Sequence, residues 1–203
     1  MDWNGFLNRL APDGDDEILA GIAKTADEAL ERNKLATVLR ASDLFGHGMV
    51  ESFGLSRLDE NLDYRAERLM QVWPKRFPTL ASAQPYAHNP KALALRVYGS
   101  RLGNRPGSDD GWVLRGSGFL QCTGRDNVEG LAADFGVSVE TMAAWLRDPE
   151  KTFAVACRLY VRLGAAPYAD RRDIAATTKH IQGGDEALAR RRQYRDRAAA
   201  LLP

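Results

Sequence analysis

Two glutamates nine residues apart, Glu51 and Glu60 in "GMVESFGLSRLDENLDY" (48–64), have the types and setting for acid–base chemistry. Glu51 closes an apolar run of Leu44, Phe45, Met49 and Val50, which favours a carboxyl group that keeps its proton. Glu60 lies among Asp59, Asn61 and Asp63, a polar loop that favours an ionised carboxylate. A proton donor and a proton acceptor facing each other across a groove are what inverting glycoside hydrolysis requires, at a separation of roughly 6.5–9.5 Å that admits a water. The plainer alternative makes Glu51 an exposed last-turn residue and Glu60 a capping acid ahead of "YRAERLM".

Whether the two acids can share a site depends on the elements that carry them. On one unbroken helix they would be separated by roughly 13 Å of rise and half a turn, on opposite faces. Gly54, three residues past Glu51, can end the helix and turn the chain back so that Glu60 faces Glu51. Helical spacing of Ile18, Leu19, Ile22, Ala26 and Leu30 after the acidic "DGDDE" predicts a first helix. A second is predicted from about 33 to 52, with Leu35, Val38, Leu39, Phe45 and Met49 inward. Further helices are expected at "AERLMQVW", "TLASAQPYA", "KALALRVYGS", "DNVEGLAADFG", "SVETMAAWLRD", "KTFAVACRLYVRLG" and "DEALARRRQYRDRAAALL". Only "WVLRGSGFLQCTG" (112–124) alternates as a short hairpin or irregular strand would. The loop "GNRPGSDDG" (103–111) reads as a flexible surface connection able to touch substrate.

Length and composition suit one domain: 203 residues, 44% hydrophobic, are enough for one substantial core or two lobes. Lys plus Arg number 28 against 27 Asp plus Glu, so no global basic field points to nucleic acid. The local excess in "ARRRQYRDR" suits either an anionic surface or a solvated helix face. No signal-peptide pattern opens the sequence and no run approaches the roughly 20 apolar residues that span a bilayer. Cytoplasmic synthesis is therefore expected. Cys122 and Cys157 read as free, buried thiols. His47, His88 and His180 lack ligand spacing and read as surface or packing residues, so no metal or cofactor is expected.

Several of these segments, in order, resemble glycoside hydrolase family 19, the chitinase family that also supplies many phage endolysins. "ESFGLSRLDENLDY" resembles its first signature, and "AERLMQVWPKRFP" followed by "YAHNPKALALRVYGSRLGN" resembles the segment after it. "DGWVLRGSGFLQCTGRDN" resembles its glycine-rich cleft strand, and "IQGG" with the arginines before Tyr194 resembles its terminal motif. The resemblance runs from about Leu35 to Tyr194. It implies a mainly α, lysozyme-like two-lobed domain with a small β-hairpin or irregular strand at the cleft, in which residues 1–32 add an N-terminal helical segment to a core of 33–203. It also implies that Glu51 is the general acid, Glu60 the general base, and Thr123 the hydroxyl that helps hold the attacking water. Gln121, Asn127, Gln182 and Arg191 are implied to bind substrate, with Arg190 the other possible match for the last arginine. Val50, Ser117 and Gln182 stand where the family commonly has His, Arg and Asn.

What the resemblance implies functionally is cleavage of beta-1,4 bonds beside N-acetylglucosamine. An endolysin acting on peptidoglycan is the expected form, monomeric, without stable membrane insertion, and reaching the wall through a separate holin-type pore. A chitinase, or a sugar-binding or inhibitory protein on a decayed hydrolase scaffold, are the alternatives.

Overall fold

A computed structural model describes residues 1–203. It is built of thirteen α-helices: α1 (Trp3–Leu10), α2 (Asp16–Arg32), α3 (Val38–Glu51), α4 (Ala66–Val72), α5 (Leu80–Ala83), α6 (Pro90–Tyr98), α7 (Asp110–Val113), α8 (Arg125–Phe135), α9 (Val139–Trp145), α10 (Thr152–Arg162), α11 (Ala166–Asp170), α12 (Ile174–Gln182) and α13 (Leu188–Leu201). A single 3-10 turn, Gln84–Tyr86, follows α5. Local chemistry sets many of the ends. Asp15 caps α2 by accepting from the Glu17 and Ile18 N–H groups, Thr37 caps α3, and Gly136 and Gly183 close α8 and α12 in the left-handed conformation.

Burial divides the helices into two lobes. The larger core joins α1, α2, α3, α8, α9 and α10 around Phe6, Phe45, Phe119 and Phe153, whose rings meet at centroid distances of 4.9 to 5.8 Å. The smaller core gathers Leu62, Leu69, Phe77, Leu93 and Val97 from α4, α6 and their connections. Residues 1–32 belong to the large core through Phe6, Leu7, Leu10 and Ile22 rather than forming an appendage.

Helix α3 runs through the large lobe and α13 packs along it. Glycines bring two neighbours close to α3, Gly46 on the α13 side and Gly48 on the Phe119 side. A Cβ on Gly46 would lie 2.9 Å from the Arg191 carbonyl oxygen, and one on Gly48 would lie 1.8 Å from the Phe119 ring. The buried face of α3 begins later than its sequence suggests: the helix starts at Val38 behind its Thr37 cap, and Val38 and Leu39 in its first turn are 38% and 37% exposed.

Three other expectations are corrected. Helices α1, α7, α11 and α12 lie outside the predicted set; α1 has a strong apolar face, but it precedes the acidic run taken as the first start signal. Segment 112–124 is not a regular hairpin: it starts in α7 and then makes only isolated bridges, Asp59 with Ser117 and Ser117 with Cys122. The 103–111 loop is tied down, since buried Asp110 receives the Arg105 and Arg125 guanidiniums and the Asn104 amide donates to the Tyr98 carbonyl at 2.9 Å. Cys122 and Cys157 are free and buried.

Introducing even one methyl group at Gly48 forces Phe119 or α3 to move, which outweighs the better helix propensity of alanine. Gly48→Ala is expected to lose about 1–3 kcal/mol, seen as a lower urea midpoint at unchanged slope.

Candidate active site

Between the lobes lies a cleft of about 640 Å³ with Val50, Leu159, Leu163 and Ile181 on one side and Tyr64 and Tyr98 on the other. Glu51, Glu60, Gln121, Thr123, Asn127 and Gln182 all line it. Arg191 does not.

Glu51 reaches the cleft because it is the last residue of α3. Beyond it the chain reverses through three successive left-handed residues, Phe53 (φ 52°), Gly54 (φ 74°) and Leu55 (φ 62°). Only the glycine adopts that conformation freely; each of the other two costs on the order of 1–2 kcal/mol. Ser52 holds the turn by donating to the Gly48 carbonyl at 2.7 Å and accepting from Leu55 N–H at 3.1 Å, and the Leu55 carbonyl accepts from Asp15 N–H at 2.9 Å. The returning loop docks on the bridged segment, with Glu60 N–H donating to the Gly116 carbonyl at 2.9 Å.

Glu51 is buried, not an exposed last-turn residue. Its Oε1 accepts from Arg191 Nη2 at 2.6 Å and from Gln182 Nε2. Burial pushes its pKa above the ordinary carboxylate value, and Glu186 adds to that, while Arg191 and Gln182 pull the other way. Arg191, only 1% exposed, stands behind Glu51. It contacts Glu51 from the protein side and does not line the cleft. Its Nε donates to the Glu186 carbonyl at 3.1 Å and its Nη1 to His47 Nδ1 at 3.0 Å. A guanidinium can only donate, so Nδ1 accepts and the His47 proton sits on Nε2. That nitrogen is 3.3 Å from Asp43 Oδ1, near enough for attraction but without hydrogen-bond alignment, and Asp43 accepts from the Tyr160 hydroxyl at 2.6 Å. Burial lowers the His47 pKa and keeps the ring neutral. His47 thus belongs to the site's support; its i, i+4 spacing from Glu51 was the one available signal.

Glu60 differs from its expected wet setting. It is half-buried, caps no helix, and receives the Tyr98 hydroxyl on both oxygens, at 2.8 and 3.0 Å. Burial raises its pKa; Tyr98, the Gly116 main chain and nearby Arg115 oppose that rise. The polar neighbour Asp59 turns instead to Arg115 and Arg147, at 3.0 and 2.8 Å.

Gln121 and Thr123 share the cleft although Gln121 is left-handed (φ 51°) rather than extended. The Gln121 amide donates to the Leu58 and Gly118 carbonyls, and Thr123 Oγ1 donates to the Gln121 carbonyl at 3.0 Å. A Cβ at Gly116 would lie 3.0 to 3.3 Å from Gln121 Oε1, Glu60 Oε2 and Thr123 Oγ1, so the missing side chain lets these three converge. Asn127 binds the Thr123 carbonyl at 3.0 Å through its amide nitrogen. Arg57, Tyr98, Tyr64, Asn61 and Glu186 add to the polar lining; sequence reasoning missed them because nothing in their local spacing marks them.

The chain is 33% identical over 135 residues to a glycosyl hydrolase family 19 domain-containing protein of Haemophilus influenzae, which is 66% of this chain and 66% of that protein. At family level, this similarity supports glycoside hydrolase family 19. The matched stretch spans just under two thirds of the relative's length. No protein-family model matches the chain. The three departures from the family 19 pattern have distinct surroundings here. Val50 lines the cleft, Ser117 is buried with its hydroxyl on the Arg115 carbonyl, and Gln182 reaches Glu51.

Two substitutions test these supports without a substrate. Tyr98→Phe removes a donor that favours ionised Glu60, so the Glu60 carboxyl, followed by carbon NMR, titrates at higher pH than in the wild type. Arg191→Met leaves Glu51 buried without its cation; it raises the Glu51 titration and costs about 3–5 kcal/mol in denaturant unfolding.

Proposed function

We propose that this protein is an endolysin-type glycoside hydrolase that cleaves beta-1,4 bonds in the glycan strands of bacterial peptidoglycan by inversion. The observation that carries this reading is one cleft lined by both Glu51 and Glu60, each attached to a different support, Arg191 behind the first and Tyr98 behind the second.

In this mechanism a glycan strand lies along the cleft with its scissile bond between the two carboxyl groups. Glu51, whose protonated form burial favours, gives its proton to the leaving oxygen as the bond to the anomeric carbon breaks. Glu60, ionised with help from the Tyr98 hydroxyl, takes a proton from the water that attacks the opposite face of that carbon. Thr123, close to Glu60 across the Gly116 gap, orients that water. Arg191 stabilises the carboxylate that Glu51 becomes. Gln121, Asn127 and Gln182 offer amide groups to sugar hydroxyls and N-acetyl groups.

No helix is long and apolar enough to cross a membrane. The proposed partner is the cell wall, reached from the cytoplasm through a separate pore, and the enzyme works as a monomer.

Turbidity of Gram-negative cells with permeabilised outer membranes tests the reading. Wild-type protein is expected to clear them, and Glu51→Gln and Glu60→Gln each to lower the rate about 10²- to 10⁴-fold. NMR of the first product should show the inverted anomer. Turnover of chitin oligomers without clearing would assign the chitinase alternative, and binding to murein without new reducing ends would make the protein a non-catalytic binder.

A further inference from the structure

Four charged side chains line the cleft: Glu51, Glu60, Glu186 and a single cation, Arg57. The neighbouring arginines already have carboxylate partners, Arg191 on Glu51 and both Arg115 and Arg147 on Asp59. Arg57 has none, and its Nε is buried without any hydrogen-bond partner. Its guanidinium carbon lies 3.6 Å from the centroid of the Phe53 ring. Phe53 is itself 53% exposed and held in the left-handed turn after Glu51. A strained aromatic left open to solvent, carrying a cation with unused donors, is poorly explained by stability.

We infer that Arg57, seated on Phe53, recognises a carboxylate carried by the glycan and so selects peptidoglycan over neutral chitin-type polymers. This rests on the peptidoglycan reading above. Hydroxyl and N-acetyl groups are met by amides, and the cleft has several. A guanidinium can donate to the hydroxyls and carbonyls of a neutral sugar chain, but its charge and planar fork match a carboxylate best. Peptidoglycan supplies such groups in two ways. Stem peptides bear carboxylates in the intact wall, and strands stripped of their peptides expose the carboxylate of the lactyl arm on alternate sugars. The aromatic face beneath fixes the plane of the guanidinium at little entropic cost.

The experiment compares wild type and Arg57→Gln on intact peptidoglycan, on peptide-stripped strands and on neutral chitooligosaccharides, reading kcat and KM separately. The ratio of kcat/KM for charged over neutral substrate is expected to fall roughly tenfold, mostly through KM, the size of one lost charge-assisted hydrogen bond. The charged substrate that shows the fall identifies the carboxylate as stem or lactyl. Arg57→Lys should restore part of the ratio, and added salt should lower it for the wild type. The salt series needs no variant, so a poorly folding Arg57→Gln would not rescue the inference. An unchanged ratio on both charged substrates, with no salt effect, would overturn it while leaving peptidoglycan hydrolysis intact. Wild-type turnover of neutral oligomers alone would sink the peptidoglycan reading and this selection with it.

Discussion

The Arg191 guanidinium is buried and must satisfy its donors inside the protein, and the acceptors it finds tie three elements together: Glu51 and His47 on α3, and the Glu186 carbonyl ahead of α13. Unpaired, that charge would be prohibitively costly in the interior. The pairing therefore fixes the rotation of α13 against α3 as firmly as it fixes the carboxylate. Gly46 permits the approach, and the neutral ring of His47 accepts the Nη1 donor. Burial raises the Glu51 pKa and the guanidinium restrains the rise, so the same contact bears on both helix packing and the proton affinity of Glu51.

The opposite wall depends on different forces. Glu60 is placed by a short return loop pinned to Gly116 and by one phenol from α6, in the smaller lobe. Its surroundings carry no buried ion pair of their own; Asp59 holds two arginines at the outer side of the loop. One acid is thus anchored by a buried charge pair in the large core and the other by hydrogen bonds that link the lobes. Relative movement of the lobes would change the second far more than the first.

Much of this was legible in the sequence where the cause is local. The apolar run before Glu51, the chain reversal around Gly54 and the acidic cap of α2 act within a few residues, so spacing reveals them. Glu60 lines the cleft, but its environment was misjudged: neighbouring Asp and Asn side chains suggest water, while Tyr98, 38 residues on, supplies the actual contact. The arginine-rich stretch misled for the same reason. Its composition suits a solvated face, yet Arg191 and Arg195 turn inward because α3 presents acceptors and small residues there. Regular strand geometry in 112–124 is replaced by isolated bridges, since left-handed Gln121 and Gly118 break the alternation. Such features depend on what packs against a segment, and no local pattern encodes that.

The central claim is that Arg191-held Glu51 and Tyr98-held Glu60 act on one glycosidic bond. A crystal structure of a Glu51→Gln protein soaked with an intact peptidoglycan oligosaccharide addresses it directly. The account predicts the residue 51 amide within roughly 2.6–3.2 Å of the scissile oxygen, and a water between the anomeric carbon and Glu60, with the two side chains roughly 6.5–9.5 Å apart. A strand bound elsewhere, or one bridging the cleft with Glu60 remote from the anomeric carbon, would contradict it.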